Sequence, residues 1–178
     1  MKEIKIVVYG LARSGKTTVC NYLQNKLNCN IYDFGDTLRK ITEELFPETK
    51  IKKDRTKLQF IGQTIRELDE DVWIKDTFRR IEQDKNPVIL ITGLRQKNEE
   101  EALRKNNFIF IKIEADDIER IRRSKKENDV VSEKAFKHET EQYIDKIKAD
   151  YIINNNKDIK YLQQQLNLII EKISKEDI

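Results

Sequence analysis

Residues 10–17, GLARSGKT, combine the residue types that bind a chain of phosphates. The chain contains only five glycines, and two of them, Gly10 and Gly15, lie in this loop. Lys16 and Thr17 follow Gly15 directly. Glycine lets the backbone adopt conformations closed to other residues and lets a ligand approach closely. Backbone N–H groups at the start of a helix attract anions, a lysine adds a point charge, and a threonine hydroxyl can ligate Mg²⁺. The spacing is therefore typical of a site for a nucleoside triphosphate and Mg²⁺.

This spacing, G-x-x-x-x-G-K-[ST], is the P-loop motif. It falls between a run of β-branched residues and a helical pattern, which is the structural context that the motif requires. Lys16 is the predicted catalytic charge, and Thr17 is a predicted Mg²⁺ ligand. We expect ATP to be bound by the loop and the first turn of the following helix, through Gly10, Ala12, Arg13, Ser14, Gly15, Lys16, Thr17 and Thr18.

Segments rich in β-branched and apolar residues alternate with segments of helical periodicity along the chain. This alternation is typical of βαβ units and predicts one α/β domain built on a parallel sheet. The predicted strands are 3–9, a short one within 29–36, 86–93, 108–115 and 150–155. The predicted helices are 15–27, 37–46, one or two over 58–80, 98–106, 116–148 and 157–175.

The charge balance of the chain is nearly even. Its 178 residues include 35 lysines and arginines against 32 aspartates and glutamates, a net charge of +3. This balance gives no indication of a nucleic-acid or membrane partner. No apolar run approaches the roughly 18 residues of a membrane span, and two cysteines are too few for a disulfide framework. We expect a cytoplasmic protein that binds a small molecule. Whether the protein forms a homodimer is left open by the sequence.

The strand-like segment 86–93, NPVILITG, narrows the class of P-loop protein. A GTPase needs D-x-x-G after such a strand and N-K-x-D for guanine, and the chain has neither. An AAA-type or helicase motor would be longer and would end this strand in two acids, whereas it ends here in Thr92 and Gly93. A small-molecule kinase needs only a compact core, an acceptor site and a basic lid. This class fits the chain.

Several segments together resemble the bacteriophage-type deoxynucleoside monophosphate kinases, whose relatives are the dephospho-coenzyme A kinases and the wider nucleoside monophosphate kinases. They are YGLARSGKTT, DFGDTLRKI, LQFIGQTIRE…DVW, ILITGLRQKNEEEAL, HETE and ADYIINN, in the order and spacing of that family. The resemblance implies a three-layer α/β P-loop kinase fold with a five-stranded parallel sheet and a small helical lid. It also implies transfer of the γ-phosphate of ATP to a nucleoside monophosphate in deoxynucleotide metabolism. The core would be 1–115 and 149–178, the acceptor region about 36–80 and the lid about 116–148.

By position in those motifs, the resemblance assigns acceptor binding to Asp36, Arg39, Gln59, Arg66 and Arg95. It also places Asn155 near the adenine. Arg66 and Arg95 can each grip an acceptor phosphate through a bidentate fork, and Arg95 is a predicted catalytic residue. The family usually has an aspartate after the third strand, where this chain has Gly93. We expect Asp33, at the edge of the neighbouring strand, to replace it as a catalytic acid and Mg²⁺ ligand.

The charged segment DDIERIRRSKKEND belongs to the predicted lid. Arg120 and Arg123 are three residues apart on one helical face, and we expect both to bind the triphosphate, with Arg123 as a catalytic residue. Two alternatives stay open. A hydroxyl acceptor, as in coenzyme A synthesis or on a hydroxymethylated base in DNA, would need Asp33 or Asp36 as a general base. Alternatively, Gly93 marks a nucleotide-binding switch that has lost catalysis.

Overall fold

A computed structural model describes residues 3–50, 55–126 and 139–175. The strands are β1 (Ile4–Tyr9), β2 (Asn30–Asp33), β3 (Val88–Thr92), β4 (Ile109–Glu114) and β5 (Tyr151–Asn154). The helices are α1 (Lys16–Leu27), α2 (Asp36–Leu45), α3 (Arg55–Leu68), α4 (Val72–Glu82), α5 (Lys97–Lys105), α6 (Asp117–Lys126), α7 (Glu139–Lys146) and α8 (Ile159–Lys175), with a 3₁₀ turn at Pro47–Lys50. Residues 51–54 of the predicted acceptor region and 127–138 of the predicted lid lie outside the described residues.

The predicted alternation of strands and helices is confirmed, and the structure decides two segments whose bounds the sequence left open. The segment 58–80 lies in two helices, α3 and α4, because the chain turns between them and the Asp69 carboxylate accepts from the amide of Asp71 at 3.1 Å. Side chains of this kind compete with the helical hydrogen bonds. The strand predicted within 29–36 is limited to β2, since the chain turns at Phe34 and Gly35 before α2.

The five strands form one parallel sheet in the order β2-β3-β1-β4-β5. β1 is the central strand and pairs with β3 on one side and β4 on the other. The register of β2 against β3 places Asp33 opposite Thr92. Because all strands are parallel, the segments that follow β1, β2 and β3 meet at one edge of the sheet, which is where such sheets bind ligands.

Helices cover both faces of the sheet and make two hydrophobic cores. Alternate side chains of β1 enter opposite cores: Ile6 and Val8 pack with α1 and α8, and Val7 and Tyr9 pack with α4, α5 and α7. A strand buried on both faces appears in the sequence as a continuous apolar run. The predicted three-layer α/β fold is confirmed. Within the described ranges, none of the helices combines the length and the hydropathy that a membrane crossing needs.

Candidate active site

The loop between β1 and α1 has backbone conformations that require its glycines. Gly10 has φ 148° and Gly15 has φ 104°, and Arg13 between them is also left-handed, at φ 64°. A Cβ atom on Gly10 would overlap the carbonyl oxygen of Ile113, and one on Gly15 would overlap the side-chain amide of Asn155. Gly15 is the N-cap of α1, so the loop lies at the positive end of that helix.

Lys16 lies across this loop. Its Nζ donates to the carbonyl oxygens of Gly10 at 2.9 Å and Leu11 at 2.8 Å. A phosphate oxygen would be a stronger acceptor for the same ammonium than a neutral carbonyl. Thr17 and Thr18, in the first turn of α1, have exposed side chains. Lysine and threonine therefore stand beside the start of α1, where the sequence predicts the phosphates.

Three side chains, from α6 and from the residue after β5, donate hydrogen bonds to backbone carbonyl oxygens of the loop. Arg120 Nε donates to the carbonyl of Ala12 at 2.8 Å, and Asn155 Nδ2 donates to the carbonyl of Ser14 at 2.7 Å. Arg123 Nη1 donates to the two carbonyl oxygens that follow Ala12, each at 3.2 Å. The sequence predicts that the two arginines face the triphosphate and the asparagine faces the adenine. The structure brings all three to the P-loop, where they contact its backbone.

Asp33 lies at the end of β2, directly beside Gly93. Its Oδ1 accepts from the amide of Gly35 at 2.7 Å and lies 3.1 Å from Arg39 Nη2, and its side chain is 23% exposed. Gly93 has φ 82°, and a Cβ there would lie 2.5 to 2.8 Å from the three atoms of the Asp33 carboxyl group. The carboxylate therefore fills the space in which a side chain at position 93 would begin.

Cys20, on α1, is a buried free thiol. Its pKa is raised to about 12, chiefly by burial; the Thr92 hydroxyl and the Lys16 ammonium act to lower the pKa, and the Asp33 carboxylate acts to raise it. Because the thiol stays protonated near neutral pH, it does not suit a nucleophile.

Asp36 and Arg39 belong to a charge network at the start of α2. Asp36 accepts from the amide of Asp33 at 2.9 Å, from Arg39 Nη2 at 2.7 Å and from Arg80 Nη1 at 3.0 Å. Burial alone would raise the pKa of Asp36, but these three donors outweigh it and the pKa is lowered. Arg80, on α4, was missed in the sequence. Its one signal was helical spacing from Asp76, whose Oδ2 accepts from Arg80 Nε at 3.2 Å.

Glu99 connects Arg66, on α3, with Arg95, which follows β3. Its Oε2 accepts from the amides of Arg95 at 2.6 Å and Gln96 at 3.0 Å, while Oε1 lies 3.8 Å from Arg66 Nη2. In the described part of the chain, Glu99 is the only ion-pair partner of Arg66, whose side chain is 21% exposed. Burial lowers the pKa of Arg66 and raises that of Glu99. Gln59, the remaining predicted acceptor residue, is exposed on α3.

The predicted Mg²⁺ ligands suit a metal that is bound together with a nucleotide. Within 3–50, 55–126 and 139–175, no group of three or more His, Cys, Asp or Glu side chains is arranged to hold a metal ion. The Thr17 hydroxyl and the Asp33 carboxylate are oxygen donors, which Mg²⁺ prefers. Mg²⁺ commonly takes one or two protein ligands beside phosphate oxygens and water. The donor set therefore fits Mg²⁺ when phosphates complete the coordination.

Comparison of the sequence with known proteins gives a family and one relative. A family model described as an AAA domain matches residues 6–142, which is more than half of the chain. The uncharacterized protein ORF77 of Ictalurid herpesvirus 1 (strain Auburn) is 32% identical over 108 residues, covering 57% of this chain. The match covers 46% of ORF77, so the chain spans about half the length of that relative.

Comparison of the structure with solved structures gives the fold. Shikimate kinase from Acinetobacter baumannii in complex with shikimate has a TM-score of 0.60 at 19% identity, covering 96% of this chain and 94% of that one. Shikimate kinase from Bacteroides thetaiotaomicron has a TM-score of 0.54 at 17% identity, with 96% and 98% covered. TT1252 from Thermus thermophilus has a TM-score of 0.57 at 14% identity, with 97% and 98% covered. At these identities the likeness concerns the fold alone.

The family match is compatible with the exclusion drawn from the sequence. β3 ends at Thr92 and is followed by Gly93, without an acid, which argues against an AAA-type or helicase motor that carries two acids there. The family model describes a domain and not a motor, so that exclusion stays a prediction. The chain belongs to the AAA domain family and has the P-loop kinase fold, with five parallel strands between two layers of helices.

Proposed function

We propose that the protein is an ATP-dependent phosphotransferase that moves the γ-phosphate of ATP to a nucleoside monophosphate. One observation carries the proposal: two cationic sites lie at the same edge of the sheet, after neighbouring strands. The loop 10–17 follows β1, and β1 pairs with β3. Arg95 follows β3, and its amide donates to Glu99, which is also the ion-pair partner of Arg66 on α3. Two anions bound at these sites would meet across adjacent strands, at the edge where parallel sheets bind ligands.

The loop 10–17 suits the phosphates of the donor. The amides at the start of α1 and the Lys16 ammonium would bind and neutralise the outer phosphates. Thr17 and Asp33 would hold Mg²⁺, which when bound supplies further charge neutralisation. Phosphoryl transfer breaks the bond between the γ-phosphorus and the ADP oxygen and forms one to the acceptor oxygen. The contribution of the protein is positioning and electrostatic stabilisation.

Arg66 supports an acceptor that carries a phosphate. Its guanidinium is largely removed from water, yet its partner Glu99 lies 3.8 Å away and uses its other oxygen for two backbone amides. A cation in this state gains most from an anion that offers bidentate hydrogen bonds, as a phosphate does. Arg95 is linked to the same carboxylate, because its amide donates to Glu99 Oε2 at 2.6 Å and its charge also acts on Glu99. A monophosphate has a second pKa of about 6 and needs no general base near pH 7.

The fixed carboxylate of Asp33 favours a second candidate, transfer to a hydroxyl. A hydroxyl acceptor must lose a proton, and a carboxylate held by the Gly35 amide and Arg39 could take it. Two proteins of similar fold are shikimate kinases, one of them solved with shikimate. Asp33 thus has a use in both reactions, as a ligand of Mg²⁺ in one and as a base in the other.

An acceptor panel tests the proposal. ADP release from MgATP is measured with each ribo- and deoxynucleoside monophosphate, with shikimate, with dephospho-coenzyme A and with DNA carrying hydroxymethylated bases. The matched control is Lys16→Ala. We expect release that depends on a monophosphate and disappears in Lys16→Ala. Release only with a hydroxyl acceptor would support the second candidate, and tight MgATP binding without turnover on any acceptor would support a switch.

A further inference from the structure

Three side chains from outside the P-loop donate hydrogen bonds to its backbone carbonyl oxygens. The carbonyl oxygens of three consecutive residues, 12 to 14, all accept hydrogen bonds from α6 or from the residue after β5. We propose that Arg120, Arg123 and Asn155 are positioning residues, which fix the direction of the loop amides before any anion arrives. The inference rests on the proposed function only in taking that anion to be the phosphates of a nucleotide.

Binding a carbonyl oxygen also orients the next amide. In a trans peptide the C=O group and the following N–H group point in opposite directions, and no described peptide bond is cis. With the oxygen of Ala12 bound on the α6 side, the N–H group of Arg13 points to the opposite side. The bonds to the oxygen of Ser14 do the same for the N–H group of Gly15. An anion on that side then meets donors that are already aligned, so less ordering is required on binding.

The two arginines are already bonded to the protein in ways that suit support better than direct contact with a ligand. Arg120 is only 3% exposed, and besides the loop it donates from Nη1 to Asp117 at 2.7 Å. Arg123 donates from Nη2 to the carbonyl of Asn155 at 2.8 Å and from Nε to Glu119 at 3.0 Å. Each guanidinium therefore joins α6 to the loop, and turning one towards a phosphate would break these bonds.

Asn155 completes the arrangement from the other side. It is 8% exposed, its own amide donates to the carbonyl of Glu114 at 2.8 Å, and its side chain lies against Gly15. The bond from Asn155 Nδ2 to Ser14 therefore ties the loop to the backbone of β4. A side chain at position 15 would displace this amide. The glycine at this position thus serves the support of the loop as well as the access of a ligand.

Amide hydrogen exchange in the nucleotide-free protein tests the support directly. The amide of Ser14 donates to the carbonyl of Leu11 at 3.2 Å, and Ser14 is fully buried, so its exchange by NMR reports opening of the loop. In Arg123→Ala we expect this amide to exchange about tenfold faster, a factor equal to about 1.4 kcal/mol. The matched control is Arg122→Ala, since Arg122 is on the same helix, 66% exposed and bonded to Glu119. It should leave the exchange unchanged.

Calorimetry with MgATP and with inorganic tripolyphosphate separates support from direct contact with a nucleotide. We expect both dissociation constants to rise by a similar factor in Arg123→Ala and neither to rise in Arg122→Ala, with the acceptor KM unchanged in both variants. If Arg123→Ala does not fold, Arg123→Lys keeps the charge but loses the fork, and it should change both readouts in the same direction by less.

Two results would overturn the inference. One is weaker MgATP binding with unchanged Ser14 exchange, which would make Arg123 a nucleotide ligand. The other is no change in either readout. If the wild-type protein binds neither MgATP nor tripolyphosphate, the proposed function fails, but the exchange comparison still decides whether Arg123 holds the loop.

Discussion

The substitution Gly93→Ala tests whether residue 93 and the Asp33 carboxylate compete for one space. Gly93 has φ 82°, and holding an alanine in the left-handed region costs about 1–2 kcal/mol. The new Cβ would lie 2.5 to 2.8 Å from the carboxyl atoms of Asp33, so the carboxylate must move. It would then lose part of its bonds to the Gly35 amide at 2.7 Å and to Arg39 at 3.1 Å.

The expected loss of stability is the sum of these two costs. A hydrogen bond to a charged group contributes about 1.5–3 kcal/mol, and water replaces some of the loss because Asp33 is 23% exposed. We therefore expect Gly93→Ala to lower the free energy of unfolding in urea by about 2–4 kcal/mol. In an Asp33→Ala background only the backbone cost remains, about 1–2 kcal/mol. The double-mutant cycle should thus give a coupling of about 1–2 kcal/mol.

The same variant also has an expected effect on transfer. Displacing the Asp33 carboxylate by about an ångström should slow ADP release about 10–100-fold, whichever acceptor the panel identifies. The reasoning is refuted if Gly93→Ala costs the same in both backgrounds. It is also refuted if the variant keeps wild-type stability and wild-type turnover, because the two positions would then not share space.

Further substitutions test single contacts of the site. Lys16→Ala should weaken MgATP binding in calorimetry about 10–100-fold while the melting temperature hardly changes. Arg66→Ala should raise the acceptor KM and leave the KM for ATP unchanged, whereas Arg79→Ala, which removes an arginine that is 66% exposed, should change neither. Ser14→Ala removes a buried hydroxyl that lacks a hydrogen-bond partner in the described part of the chain, so urea unfolding should show equal stability or a gain of up to about 1 kcal/mol. Burial raises the pKa of Glu99 above its usual value. Above this raised pKa the buried carboxylate is ionised and lowers the stability of the wild-type protein. This loss of stability disappears as the pH falls through the raised pKa and the carboxylate becomes protonated. The stability of Glu99→Gln relative to wild type should therefore decrease as the pH is lowered from neutral towards the usual carboxyl pKa of about 4.5, and a constant difference would contradict this.

The P-loop and the fold were predictable because their signals are local. The motif, the strand before it and the helix after it are contiguous in sequence, and the glycines reveal the backbone that the structure shows at Gly10 and Gly15. The alternation of buried strands with amphipathic helices likewise fixes the fold class. Periodicity alone could not give the strand order, since it does not say which strands are neighbours.

The support of the loop was not predictable, because it depends on contacts between distant residues. Arg120 and Ala12 are 108 positions apart in the chain, and Asn155 and Ser14 are 141 positions apart. The sequence pointed to these polar residues and predicted contact with the nucleotide, which stays a prediction; their contact with the loop backbone was not predicted. A resemblance transfers a position in the fold, while the atoms that a side chain reaches depend on packing.

Arg80 was missed for a related reason. In sequence it is the second of two adjacent arginines near the end of α4, and both arginines have helical spacing from Asp76. Packing of α4 against β2 turns Arg80 towards Asp36 and the carbonyl of Asp33, which it reaches at 3.0 and 3.2 Å. Arg79 on the same turn is left 66% exposed. The difference lies in which face of the helix meets the sheet.

Gly93 was the one feature that argued for lost catalysis, and the structure shows that the Asp33 carboxylate occupies the space in front of it. Adjacent strands of a sheet are about 4.8 Å apart, and the register sets Asp33 opposite Thr92, so an acid that ends β2 reaches the space in front of residue 93. Because a Cβ at position 93 would lie within 2.8 Å of that carboxyl group, a carboxylate on one strand excludes a side chain at the end of the other. In this structure, a side chain at position 93 would therefore require the Asp33 carboxylate to move. Asp33, the last residue of β2, places a carboxylate in front of the position after β3 where the sequence has no acid.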